Sequence, residues 1–164
     1  MSDLIEPVRA GGLLRSDGPV VVLVSGGRDS LCLLDLAARI AGPECVTVLH
    51  VNYGLREAAG EDERHCRRLC DELGVRLEVR RAGSDGIAAP PQTGNLQAWA
   101  RDARYAAAVP LASRDADIAA GHTATDQVET ILYRLASSPS RRALLGMRPR
   151  EGRLVRPLLG FTRA

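Results

Sequence analysis

The chain contains no lysine: all 22 of its basic residues are arginine. That absence excludes a Walker-type phosphate loop, which ends in Gly-Lys-Ser/Thr, and a kinase built on a strand lysine. It also excludes a Schiff base on the protein itself. Aromatic residues are nearly as scarce, with one Phe, one Trp and three Tyr among 164 residues, so no aromatic platform for stacking unpaired bases is visible. Long apolar runs are missing too. The longest, VVVLV at residues 20–24, is far too short to cross a bilayer, and no membrane association is expected. The amino-terminal MSDLIEPVRA lacks a cationic segment leading into an apolar one, so no signal peptide is read there and a cytoplasmic protein is expected.

Cysteine is limited to four residues. Cys66 and Cys70 lie four apart with Leu69 and Leu73 on one apolar helical face, and neither a second pair nor a nearby histidine completes a zinc set. They read as small buried hydrophobes. With 45% hydrophobic and 26% charged residues, the chain has the composition of one soluble globular domain covering 1–164. Its charge is uneven. Residues 134–164 carry eight arginines against the single acid Glu151, on a body with a negative balance that leaves the total at +2. A basic end on an acidic body suits a polyanion partner; a solvated Arg-rich loop explains it equally well.

Strand and helix patterns alternate. Residues 19–25 form a continuous apolar strand of the kind buried on both faces of a parallel sheet. A helix over 29–41 stops at Gly42-Pro43, and a strand follows at 45–51. Then come a helix over 57–73, a polar strand at 76–81 suited to an edge, and a Gly/Pro/Ala-rich loop over 82–94. The spacing next predicts a helix over 95–109, a strand over 116–121, and a helix over 123–136 with Val128, Ile131, Leu132 and Leu135 facing inward. A last short strand is expected over 154–159. This order implies an α/β doubly wound, Rossmann-like parallel sheet, whose ligands bind beyond the carboxyl ends of the strands. Three polar segments fall there: SGGRDS at 25–30, HVNYG at 50–54, and Gly121-His122.

Within SGGRDS, Gly26 and Gly27 allow a tight turn and close backbone approach, and Ser25 and Ser30 add hydroxyls. A helix starting near Asp29 aims unpaired N–H groups back at the loop, making an anion cradle. The alternative is that Asp29 merely caps the helix. The position after the first strand favours phosphate. Asp126 likewise has two readings: a capping box with Thr123, or a carboxylate sharing the ligand edge with Asp29. Gln97, Arg101 and Arg104 share a helix face opposite Trp99. Gln97 reads as solvated, whereas Arg101 and Arg104 suit clamps on a triphosphate or RNA phosphate. Arg141, Arg142, Arg148, Arg153, Arg156 and Arg163 have the density expected of RNA phosphate contacts.

SGGRDS resembles the PP-loop, SGGxDS, of the ATP pyrophosphatase superfamily, with its adenine nucleotide α-hydrolase type of fold. Three further segments, HVNYGLR (50–56), GNLQAWARDARY (94–105) and GHTATDQVETILYRLASSPSRRALLGM (121–147), are followed by RPLL (156–159). In this order they resemble the tRNA(Ile)-lysidine synthetase family. The resemblance implies an ATP-dependent ligase that adenylates the wobble cytidine of an isoleucine tRNA with a CAU anticodon. It then joins free lysine to that base, releasing AMP and pyrophosphate. It implies that Ser25, Gly26, Gly27, Arg28, Asp29 and Ser30 hold the phosphates of ATP, with His50, Asn52 and His122 lining the nucleotide site. Asp29 and Asp126 would hold Mg²⁺, and Arg101 and Arg104 would join them as catalytic residues. Thr125 stands where the family often has a second acid, and Gln97 where it more often has Glu. The C-terminal tRNA-binding domain usual in that family is expected to be absent from this chain, and a homodimer is left open. Two alternatives are weaker. A cytidine thiolase of the same superfamily calls for a CxxC near the site and usually Lys at position 28, whereas Arg28 stands there. A non-catalytic ATP-binding module of the universal-stress type carries its phosphate loop late in the chain.

Overall fold

The structure, a computed structural model, describes residues 4–55, 59–138, 140–141 and 143–162. The expected helix start at Glu57 and the sequence-assigned Arg142 and Arg163 lie outside them. In chain order the elements are α1 (Ile5–Ala10), β1 (Val20–Val24), α2 (Arg28–Ala41), β2 (Val46–Asn52), α3 (Ala59–Leu73) and β3 (Arg76–Arg81). There follow α4 (Leu96–Ala108), β4 (Asp117–Ala120), α5 (Ala124–Ser137), β5 (Arg150–Glu151) and β6 (Leu154–Val155). They build one six-stranded sheet in the order β3-β2-β1-β4-β6-β5, parallel except for β5. The chain moves outward from β1 to β2 and β3, then returns to the other side of β1 with β4. The order therefore reverses between β1 and β4, where α/β sheets open a ligand crevice.

The Val-rich first strand is central because both its faces are apolar. Val20, Val22 and Val24 enter one core with Leu33, Leu34 and Ala37 of α2 and with Cys66 and Cys70 of α3. Val21 and Leu23 enter a second core with Leu49, Val51 and Ala108. Cys66 and Cys70 behave as the small hydrophobes expected. Burial, helped by nearby acidic groups, pushes their thiols up to about 11 and about 12, which leaves them protonated and unreactive. The polar β3 takes the sheet edge, as its composition predicts.

Three expectations need correction. The helix over 124–137 forms, yet none of its described residues is buried, and Val128 and Leu132 are 55% and 61% exposed. An apolar stripe says that a helix is amphipathic, not what covers it. Here α5 packs chiefly on the short 3₁₀ turn Ala143–Leu145 and adds no residue to either core. The last strand is a two-residue parallel partner of β4 within a tight hairpin, not a strand over 154–159. A short amino-terminal helix, α1, buries Val8 against α2, an element the sequence reading leaves out.

Two arginines of the basic end also prove structural. Arg153 donates from Nε to the Ala116 carbonyl at 2.9 Å and from its terminal nitrogen to the Ser113 carbonyl. Arg156, only 1% exposed, donates to the Arg148 carbonyl at 2.6 Å and to Glu151 at 3.3 Å. Arg153 stitches the hairpin to the body, whereas Arg156 ties together the hairpin segment itself and is too buried to present to RNA. Beside them Arg150 grips the buried carboxylate of Asp117 with two bonds of 2.7 and 3.1 Å, tying β5 to β4. Arg150→Ala leaves Asp117, among the described residues, with Arg15 as its remaining ion-pair partner at 3.8 Å. The variant is expected to lose about 2 kcal/mol of unfolding free energy, measured by urea denaturation.

Candidate functional site

At the β1/β4 reversal, the backbone leaves β1 at Ser25, turns through Gly26 at φ +85°, and enters α2 at Arg28 with Gly27 as the N-cap. Asp29 is therefore the second residue of the helix and not its cap. No side chain caps the α2 terminus, and its N–H groups face the loop. The loop is held from inside. Ser30 donates to the Gly27 carbonyl at 2.7 Å and accepts from the Ser25 amide at 3.2 Å, while the two serine hydroxyls lie 3.3 Å apart. Ser25 Oγ also accepts from the Gly27 amide at 3.4 Å. Arg28 is 69% exposed, with Nε 3.9 Å from Asp29, and lines a cleft beside the loop.

The loop borders two clefts. One, of about 290 Å³, is lined by Ser25, Gly27, Asp29, Arg104, His122 and Asp126, among others. It brings together residues from four segments that the sequence read separately. The second, of about 280 Å³, lies on the far side of Ser25 and is lined by His50, Asn52, Tyr53 and Asp62 among others. His50 and Asn52 are thus in the neighbouring wall, and both are engaged within the protein. His50 Nδ1 is 3.0 Å from the Val24 carbonyl and 3.5 Å from Cys66 Sγ. Asn52 donates to Glu63 at 3.2 Å and accepts from the Gly54 amide at 2.9 Å.

Asp126 forms the capping box and also lies at the cleft. Its Oδ2 accepts from the Thr123 amide at 2.6 Å and from the Thr123 hydroxyl at 2.9 Å, forming the cap, and the same carboxylate lines the cleft with Asp29. Arg104 and His122 also line a third cleft of about 540 Å³ with Arg101, whose guanidinium sits 5.2 Å from the Tyr105 ring centre. Arg104 Nε and His122 Nδ1 are buried without a hydrogen-bond partner among the described residues, as is Arg156 Nε. Burial lowers the His122 pKa to about 4, and Arg156 and Arg101 reinforce the effect against the opposing charge of Asp126. The ring is neutral at pH 7.

That shift has a consequence for stability. Between pH about 6.5 and about 4, the unfolded chain binds a proton at His122 and the folded chain does not. Unfolding free energy is then expected to fall as pH is lowered through this window, by at most ~1.4 kcal/mol per unit from this residue. His122→Gln should flatten the corresponding part of a pH series of chemical denaturation curves.

Some residues of the site carry no sequence signal. Asp62 packs under Gly26, and Tyr53, quoted within HVNYG but given no role there, is braced by its hydroxyl on the Ala100 carbonyl at 2.8 Å and by an edge contact with Trp99. Gln127 falls within a quoted motif but receives no role there. It bonds both the amide and the carbonyl of Met147, at 2.6 and 2.9 Å, fixing the chain after α5.

Among the described residues no three His, Cys, Asp or Glu side chains gather as a metal cluster. Asp29 and Asp126 line one cleft, and their carboxylates are hard oxygen donors of the kind that suits a divalent cation such as Mg²⁺. No described helix is long and apolar enough to cross a membrane.

A family model for the PP-loop domain matches residues 3–164. The chain is 31% identical to the tRNA(Ile)-lysidine synthase of Clostridium acetobutylicum, covering 100% of this chain and 37% of that protein. It is 38% identical to the tRNA(Ile)-lysidine synthase of Pseudomonas fluorescens, covering 87% of this chain and 33% of that protein. The chain thus spans about a third of the length of these relatives. The fold is similar to that of the U34-tRNA thiolase NcsA from Methanococcus maripaludis, solved with its [4Fe-4S] cluster, with a TM-score of 0.75 at 18% identity. That similarity covers 98% of this chain and 59% of the thiolase.

Proposed function

The chain belongs to the PP-loop domain family, and from that premise we propose that it is the nucleotide-activating part of a tRNA(Ile)-lysidine synthetase. In this reading it uses ATP to adenylate the wobble cytidine of an isoleucine tRNA with a CAU anticodon. Free lysine then replaces AMP on the base. The observation that carries the reading is the single cleft in which the Ser25–Ser30 loop, Asp29, Arg104, His122 and Asp126 meet.

The chemistry follows from that arrangement. In the first step the cytidine carbonyl oxygen attacks the α-phosphorus, and the bond to the bridging oxygen breaks to release pyrophosphate. The amides at the start of α2 and the Ser25 hydroxyl would hold the departing pyrophosphate, while Ser30, whose hydroxyl proton is committed to the Gly27 carbonyl, holds the loop from inside. Asp29 and Asp126 would hold Mg²⁺, which when bound neutralises charge on the phosphates. Arg104, with its buried unpartnered Nε, supplies a further fixed donor for the phosphoryl oxygens. In the second step the lysine amine attacks the activated ring carbon and AMP leaves. The neutral His122 ring offers a hydrogen-bonding partner there without adding charge to an Arg-lined wall.

The thiolase alternative requires reactive sulfur. Cys66 and Cys70 are buried within α3 with raised pKa values, and Cys32 and Cys45 lie apart on α2 and ahead of β2. The test is incubation with α-labelled ATP, the tRNA transcript, Mg²⁺ and lysine. AMP formation that requires both tRNA and lysine is the expected result. ATP binding without AMP, even after the remainder of a related synthase is supplied, would overturn the reading.

A further inference from the structure

Tyr133 is the large aromatic side chain left open to solvent among the described residues, at 71% exposure. Its position is not random. It lies seven residues after Asp126 on α5, two helical turns along the same face and about 10 Å along the axis. It lines the same cleft as Arg101, Arg104 and His122, and through Arg104 and His122 that cleft joins the one containing Asp29 and Asp126. On the opposite wall the Tyr105 ring is already covered by the Arg101 guanidinium. Arg101 also borders an adjoining cleft of about 740 Å³ with Arg134 and Arg148. An exposed ring thus lines an arginine-bordered cleft that shares Arg104 and His122 with the cleft of the phosphate loop.

We propose that Tyr133 is a stacking surface for an unpaired base of the RNA substrate, next to the base that reaches the Asp126 cleft. The proposal rests on the RNA-modifying reading above and adds a base-contacting residue to it. Stacking suits this ring because a π-face accepts any base, and the arginines around it supply phosphate contacts. It also fills the gap left by a chain poor in aromatics: one exposed ring in the right place suffices. A protein partner seated on Leu132 and Tyr133 is the competing occupant. The arginine border and the residues shared with the phosphate-loop cleft favour a nucleic acid.

The experiment measures binding of an anticodon stem-loop transcript with a CAU loop by filter retention. The stem-loop carries 5-iodocytidine at the wobble position or the adjacent base, for photocrosslinking. Tyr133→Phe is expected to bind within about twofold of the wild type, while Tyr133→Ala and Tyr133→Leu bind about 5- to 150-fold more weakly and lose the crosslink. Thermal melts of the three variants that match the wild type exclude misfolding as the cause. Wild-type affinity in Tyr133→Ala overturns the proposal, as does full recovery in Tyr133→Leu, which would mark an apolar protein contact. A wild-type protein that binds ATP but no stem-loop, even after the remainder of a related synthase is supplied, overturns both this inference and the RNA-modifying reading. RNA binding insensitive to Tyr133 overturns this inference alone.

Discussion

Asp29→Ala is expected to reduce tRNA-dependent pyrophosphate release by at least about a hundredfold while leaving the fold intact. The argument turns on where the residue sits. Were Asp29 the cap of α2, its loss would cost about 0.5–2 kcal/mol, and any fall in activity could follow from a frayed helix. Gly27 is the cap, however, and Asp29 occupies the first helical turn on the cleft side, opposite Asp126. Its removal then costs no helix cap, and the interaction of its carboxylate with the helix terminus contributes about 0.3–1 kcal/mol. The chemical loss is much larger, because phosphoryl transfer depends on fixed charge around the leaving oxygens, where single groups contribute about 10²–10³ in rate. The measurement pairs a labelled pyrophosphate release assay with a thermal melt. Asp29→Asn separates the roles further: it keeps size and polarity and loses the charge that would hold Mg²⁺. A variant that turns over ATP normally would remove Asp29 from the site.

Much of this site is legible in the chain because it is local. Val20–Val24 announces a doubly buried strand, SGGRDS announces the turn and helix start, and both lie within eleven consecutive residues. The carboxyl-end rule of parallel sheets then brings Gly121-His122 and Asp126 to the same edge without knowledge of any contact. What stays hidden is everything settled by distant partners. Arg156 reads as one more basic residue of an Arg-rich end, yet it is the largest side chain in the molecule that is almost fully buried. Only the return of the hairpin past Arg148 supplies the carbonyl that it bonds. Glu63 is similar. On the sequence it is one acid in a charged helix, while in the fold it collects Arg67, Arg81 and Asn52 at 2.9, 2.6 and 3.2 Å. Burial works to raise its pKa, but these three partners lower it on balance. The outward face of α5 failed for the complementary reason, since periodicity identifies a stripe and leaves its cover unspecified.

The three glycines around the loop should fail in three different ways when each is replaced by alanine, and the contrast tests the cradle itself. Gly26 has φ +85°, and an added Cβ would stand 3.0 Å from Asp62 Cβ. Gly26→Ala therefore strains the backbone and presses on α3, with an expected stability loss of about 1–3 kcal/mol. Gly121 has no conformational demand of that kind. Its Cβ would meet three backbone atoms, Asp29 O, Ser30 N and Ser30 Cα, each at 3.1 Å. Backbone of a helix cannot swing aside as a side chain does, so Gly121→Ala must push the first turn of α2 away from β4. That turn carries the amides of the cradle, and the variant should lose both stability, by about 1–3 kcal/mol, and ATP affinity, by roughly tenfold. Gly27 is the informative member. A Cβ there would touch only Ser25 Oγ, at an unstrained 3.5 Å, so the fold accepts it apart from a weaker cap of about 0.5–1 kcal/mol. Yet Gly27 lines the cleft, and a methyl group on it stands between the amides and any phosphate. Gly27→Ala is thus expected to melt close to the wild type and to bind ATP at least about tenfold more weakly in calorimetric titration. Undiminished ATP affinity in this variant would show that the phosphates do not rest on the α2 terminus, whatever else occupies the cleft.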